Sequence, residues 1–159
     1  MAILVERRMP RQVAILSAAV WAVLAVPGVS HARSPEPFLR IPEADRAVLA
    51  AVACQYDLSG EAKRLLYAIY LAEGNEKDRA RGLLDGHEMG VLTPEAQRYK
   101  GDHAQSLECQ ARWAAGTIRK RYQGDLAAFA ARWAPRGADN DPTDLNRNWL
   151  PNVERFMTR

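Results

Sequence analysis

The sequence predicts a mainly α domain, and three observations carry that prediction. Apolar residues recur at helical spacing, as in Leu107, Ala111, Ala114, Ile118 and Tyr122. Helix start signals stand where such patterns begin: Pro42-Glu43-Ala44-Asp45, Ser59, Thr93-Pro94-Glu95 and Asp125. The stretch from Leu83 to Leu92 has no helical period. Its Gly82, Gly86 and Gly90, set around Leu84, Met89 and Val91, allow at most a minimal β hairpin or a loop.

Residues 1–32 read as a signal peptide. Arg7, Arg8 and Arg11 precede an apolar run from Val13 to Val26, Pro27-Gly28 breaks it, and Ser30-His31-Ala32 offers small residues for cleavage. The run falls short of the roughly 20 residues that a membrane-spanning helix needs. An uncleaved anchor is the alternative. Removal of residues 1–32 takes away three Arg and one Glu, leaving 19 basic and 18 acidic residues from the 22 and 19 of the whole chain. That near balance gives no electrostatic case for nucleic acid. A periplasmic or secreted location follows, with no stable membrane insertion after cleavage.

Residues 33–42 form a Pro-containing lead-in without periodicity. From there to residue 159 the chain reads as one domain. Val48, Leu49, Val52 and Ala53 make the apolar face of a first helix reaching about Tyr56. Ser59 caps a second helix, which ends near Glu73 and Gly74. Asn75 to Asp85 is charged, with room for a short helix. Thr93-Pro94 opens another segment, and Gly101-Asp102 interrupts it before the long helix. Gly124 ends that helix, and Asp125 starts one that buries Leu126, Phe129, Ala130 and Trp133 and stops before Pro135. A polar, turn-rich stretch follows to Asp144. The last helix carries Trp149, Leu150, Val153, Phe156 and Met157, and Pro151 fits its first turn if Asn148 is the cap.

Cys54 and Cys109 are the two cysteines. Export favours a disulfide between them, worth roughly 4 kcal/mol for a loop of about 55 residues in the chain-entropy model. Two free thiols acting as small apolar residues are the alternative.

Several chemistries lack their residues. His87 and His103 have neither a partner at helical spacing nor clustered cysteines, so no metal site is expected. No nucleophile elbow and no phosphate-binding glycine loop is present, and no cofactor is expected.

Two features remain. In the run from Leu65 to Glu73, Leu66, Ile69 and Glu73 share one helix face, so an apolar face carries a carboxylate at its last position. Partial burial and the negative end of the helix dipole both disfavour the charged form there, which suits a proton donor. A frayed helix end with Glu73 in solvent is the simpler alternative. The other feature is the concentration of rings, amides and acids from Arg132-Trp133 through Asn140 to Asn146 and Trp149. Flat rings against sugar faces and amides on hydroxyls would suit a glycan, while a core role for the two tryptophans and turn roles for the rest remain open.

Phe129-Ala130-Ala131-Arg132-Trp133-Ala134-Pro135, then Asn140-Asp141-Pro142-Thr143, then Asn146-Arg147-Asn148-Trp149-Leu150-Pro151-Asn152-Val153 resembles the end of small lysozyme-like cell-wall proteins. Upstream, Ala72-Glu73-Gly74 resembles the family's helix ending Ala-Glu-Gly, and Gly90-Val91 its Gly-Ile/Val step. Cys109 is similar to a family cysteine in the long helix. The resemblance spans residues 62 to 157 and is loosest between Asn75 and Gln105. It implies a lysozyme-like α+β fold over residues 43–159, with Glu73 as catalytic acid and Asn140, Asn146, Trp149 and Trp133 as substrate-binding residues. It implies peptidoglycan glycan strands as the partner. The second carboxylate is where the chain departs from a glycosidase pair, which stands about 5–5.5 Å apart for retention and 6.5–9.5 Å for inversion. Asp85 and Glu88 are the candidates, and no motif picks either. A single acid suits a lytic transglycosylase, in which the substrate's own groups replace partner and water. It equally suits a domain that only binds.

Overall fold

A computed structural model describes residues 36–74, 85–91 and 93–158. The signal peptide assigned to residues 1–32 and nearly all of the charged stretch after Gly74 lie outside the described residues. The structure is mainly helical, and among the described residues there is no strand. The helices are α1 (Glu43–Gln55), α2 (Gly60–Glu73), α3 (Pro94–Gln97), α4 (His103–Arg121), α5 (Leu126–Trp133) and α6 (Trp149–Met157), with 3-10 turns at Glu36–Arg40 and Leu145–Asn148.

α2 is the centre of the core. Its six consecutive residues Leu65, Leu66, Tyr67, Ala68, Ile69 and Tyr70 are all buried. A helix apolar on every side must be surrounded, and α1, α4 and α6 all pack on it. The single apolar face read from Leu66 and Ile69 therefore understates its burial. α4 turns Leu107, Ala111, Ala114, Ala115 and Ile118 into the core, together with Ser106 and Gln110.

The start signals act largely as read. Thr93 accepts from the Ala96 N–H at 3.2 Å and Asp125 from Ala128 at 2.9 Å, while Asp102, read only as part of an interruption, caps α4 by accepting from Gln105 at 3.1 Å. Ser59 occupies its N-cap position without a side-chain bond. Pro151 is the third residue of α6, where its missing N–H costs nothing. The lead-in differs from expectation. Phe38, in its 3-10 turn, is buried and sets its ring 5.4 Å from that of Tyr67. Gly82 to Leu92 forms turns rather than a hairpin over its described residues 85–91.

The expected Cys54–Cys109 bridge is absent from this structure, in which both cysteines are free thiols. Leu49, Val52 and Ala53 form the buried face of α1, and Cys54 stands off it in solvent. Cys109 is half-buried on a flank of α4, at the wall of a cavity shared with Thr93 and Glu95. Burial pushes its thiol above the usual range, and the nearby Glu95 and Glu108 carboxylates add to the rise against Arg112.

Candidate active site

Glu73 is the last residue of α2, and it is half-buried rather than frayed into solvent. Two contacts fix its carboxylate. The Trp149 indole N–H donates to Oε1 at 2.8 Å. On the other side lies Gly90, whose backbone has φ +68 and is exposed. A Cβ at Gly90 would stand 2.7 Å from the Glu73 carboxyl carbon, closer than such atoms pack. Glycine is needed there twice over, for the left-handed backbone and for the room it leaves the carboxylate. The site thus joins the end of α2, the start of α6 and the turn at residues 86–91.

Trp149 is buried, and a row of rings leads away from it. Its ring centroid lies 6.0 Å from that of Trp133, which lies 5.4 Å from that of the exposed Trp113. Phe129 stacks on Trp133 at 5.5 Å. The core alternative therefore holds for Trp149. Trp149 is core and also touches Glu73, and Trp133 is half-buried in the ring row.

The amides fall elsewhere. Asn146 is a loop tie: its side chain donates to the Pro135 carbonyl at 2.9 Å. Asp141 accepts from the Leu145 and Asn146 N–H groups, each at 2.8 Å. These bonds fold residues 135–146 into a clasp that delivers Trp149. Asn140 is exposed at the edge of that loop.

The two candidate second carboxylates are engaged. Asp85 accepts from the Gly101 N–H at 2.7 Å. Glu88 is fully buried, accepting from the Ser106 hydroxyl at 2.6 Å, from the Gln110 amide and from the Gly86 N–H at 3.3 Å. His103 Nδ1 stands 3.5 Å from Glu88 and its Nε2 2.9 Å from Asp45, which in turn accepts from the Tyr70 hydroxyl. His103 is an exposed residue whose ring links two buried acids.

Sequence reading missed this polar chain. Its sharpest member is Gln110, whose amide oxygen accepts from Met89 N–H at 3.0 Å and Val91 N–H at 3.2 Å, the residues either side of Gly90. Ser106 and Gln110 sit one turn apart among the apolar residues of α4, and that interruption was the available signal. The network braces the turn that meets Glu73. Among the described residues no cluster could hold a metal ion, and no helix is long and apolar enough to cross a membrane. No known protein family, curated protein or solved structure matches the chain.

Proposed function

We propose that this is an exported, lysozyme-like domain that cleaves the glycan strand of peptidoglycan, by lytic transglycosylation with Glu73 as acid and then base. The observation that carries the reading is the seat of Glu73. A half-buried carboxylate at a helix end is held by the Trp149 N–H beside the exposed Gly90 backbone, with a row of rings leading off it. Such a group can give a proton to a glycosidic oxygen and recover one from a sugar hydroxyl. The rings offer flat faces to sugars.

Transglycosylation is favoured over hydrolysis by the state of the two candidate partners. Glu88 is enclosed by its own donors, and Asp85 ties the loop to Gly101. A hydrolase of this class needs a second carboxylate placed to act as nucleophile or to activate water.

The test is Glu73→Gln. Lysis of purified sacculi should fall by about 10²–10⁴-fold, the usual share of proton donation, while the variant still sediments with sacculi. Products with 1,6-anhydro ends support the reading, and reducing ends would replace transglycosylation by hydrolysis. Wild-type protein that sediments with sacculi but never cuts them would leave a non-catalytic wall-binding module.

A further inference from the structure

A second concave surface lies at the far end of the ring row, between α4 and α5. It is a groove of about 800 Å³. Trp113 and Trp133 line it, and Arg112, Lys120, Arg121 and Arg132 bring four cations to it. Arg112 is engaged by Glu108 at 2.6 Å. Among the described residues Lys120, Arg121 and Arg132 make no ion pair, and all three side chains are exposed. The helix dipole accounts for cations at the end of α4, where Lys120 and Arg121 lie. It accounts neither for Arg112, two turns earlier, nor for their convergence with Arg132 of α5 on one aromatic-walled groove. The near balance of charge in the exported domain makes this local concentration more notable, since it is not a share of a general basic surface.

We infer that this groove binds the carboxylate-bearing peptide branches of peptidoglycan, as a site separate from the glycan site at Glu73. The inference rests on the proposed function. Two observations select this occupant. Charge complementarity calls for an anion, and the aromatic walls call for one with an apolar body, as a short peptide with alanine and a free carboxyl group has. Trp113 and Trp133 of its wall also lead ring to ring to the buried Trp149, whose indole N–H holds Glu73. Exposed ion pairs are individually weak and screened by salt, so the groove acts by holding the strand in place.

The experiment uses the Glu73→Gln protein, which leaves the wall uncut, with and without Lys120→Glu plus Arg121→Glu. Binding is measured by co-sedimentation with intact sacculi, with sacculi whose carboxyls have been amidated, and with sacculi stripped of peptides by an amidase. Charge reversal should weaken binding to intact sacculi by about tenfold at low salt. It should leave binding to the amidated and stripped material unchanged, and Arg132→Glu, from the other wall, should reproduce the pattern. The inference is overturned if reversal changes nothing while wild-type lysis persists, which leaves the proposed function standing. It is overturned equally if binding to stripped strands falls as much, since the groove would then hold sugar, or if a single-stranded oligonucleotide or anionic vesicles bind more tightly than intact sacculi. Failure of the parent protein both to bind and, as wild type, to cut any of the three would remove the proposed function itself.

Discussion

Gln110→Leu isolates the role of the buried polar chain, because leucine is close in size and keeps the helix. In the native protein the Gln110 amide oxygen satisfies the N–H groups of Met89 and Val91, and its amide nitrogen donates to Glu88. Leucine removes these three bonds and a fourth, from the amide nitrogen to the Ser106 hydroxyl at 3.1 Å. Met89 and Val91 are buried, so their N–H groups cannot turn to water unless the loop opens. Each buried donor left without a partner costs about 1–3 kcal/mol, which puts the two backbone groups at roughly 2–6 kcal/mol before the loss at Glu88. For a domain of this size that range corresponds to a drop in Tm of roughly 10–20 °C. Thermal unfolding followed by circular dichroism measures it, and lysis assayed well below the lowered Tm should also fall, because the turn no longer presents Gly90 to Glu73. Gln110→Glu separates the two halves of the bond set: it keeps an acceptor for Met89 and Val91 but loses the donor to Glu88 and adds a like charge. It should therefore destabilise through repulsion that weakens at low pH, whereas the leucine variant should not recover there. A Gln110→Leu protein that melts within 2 °C or so of wild type, less than about 1 kcal/mol would give, would refute the bracing argument.

Three further outcomes follow from the same contacts. Trp149→Phe keeps a ring but removes the N–H on Glu73, a bond of about 1.5–3 kcal/mol to a charged group. Its loss lets the carboxylate swing from its seat, so lysis should fall at a pH where circular dichroism shows the fold kept. Gly90→Ala forces a methyl onto the Glu73 carboxylate and strains a left-handed backbone, so lysis should fall by at least about tenfold with a loss of stability of about 1–2 kcal/mol. The thiol of Cys109 is held above the usual range, so less thiolate is present at a given pH; its alkylation by iodoacetamide should lag until the pH rises beyond that range, as mass-mapped labelling of the folded protein would show.

The helical frame was legible because its signals are local. Thr93 and Asp125 cap where their side chains can reach N–H groups three residues on, and Pro94 and Pro151 fall where a first turn tolerates them. The position of Glu73 at the end of α2 was legible for the same reason. Its partners were not. The Trp149 N–H and the Gly90 backbone reach Glu73 from distant parts of the chain, and neither periodicity nor capping encodes such a meeting. Glu88 looked like a loop acid because its neighbours are glycines and polar groups, yet the donors of Ser106 and Gln110 make its burial tolerable. Asn146 looked like a sugar-binding amide, and the bond that it donates to the distant Pro135 carbonyl was not legible. The basic groove was hidden by the balanced total charge, since a sum over residues carries no information on which of them converge.

The bond between Glu73 and Trp149 spans 76 positions. It places the seating of that carboxylate well after synthesis of the helix that carries it. A nascent chain that has emerged as far as α4 already contains Glu73 and the helix that carries it, but not the indole that holds the carboxylate or the helix that packs beside it. A molecule interrupted before Trp149 would carry its acid unheld. Completion of the final helix therefore sets the seat of the carboxylate: the acid at the end of α2 is held only once Trp149 and the helix that it opens have been made.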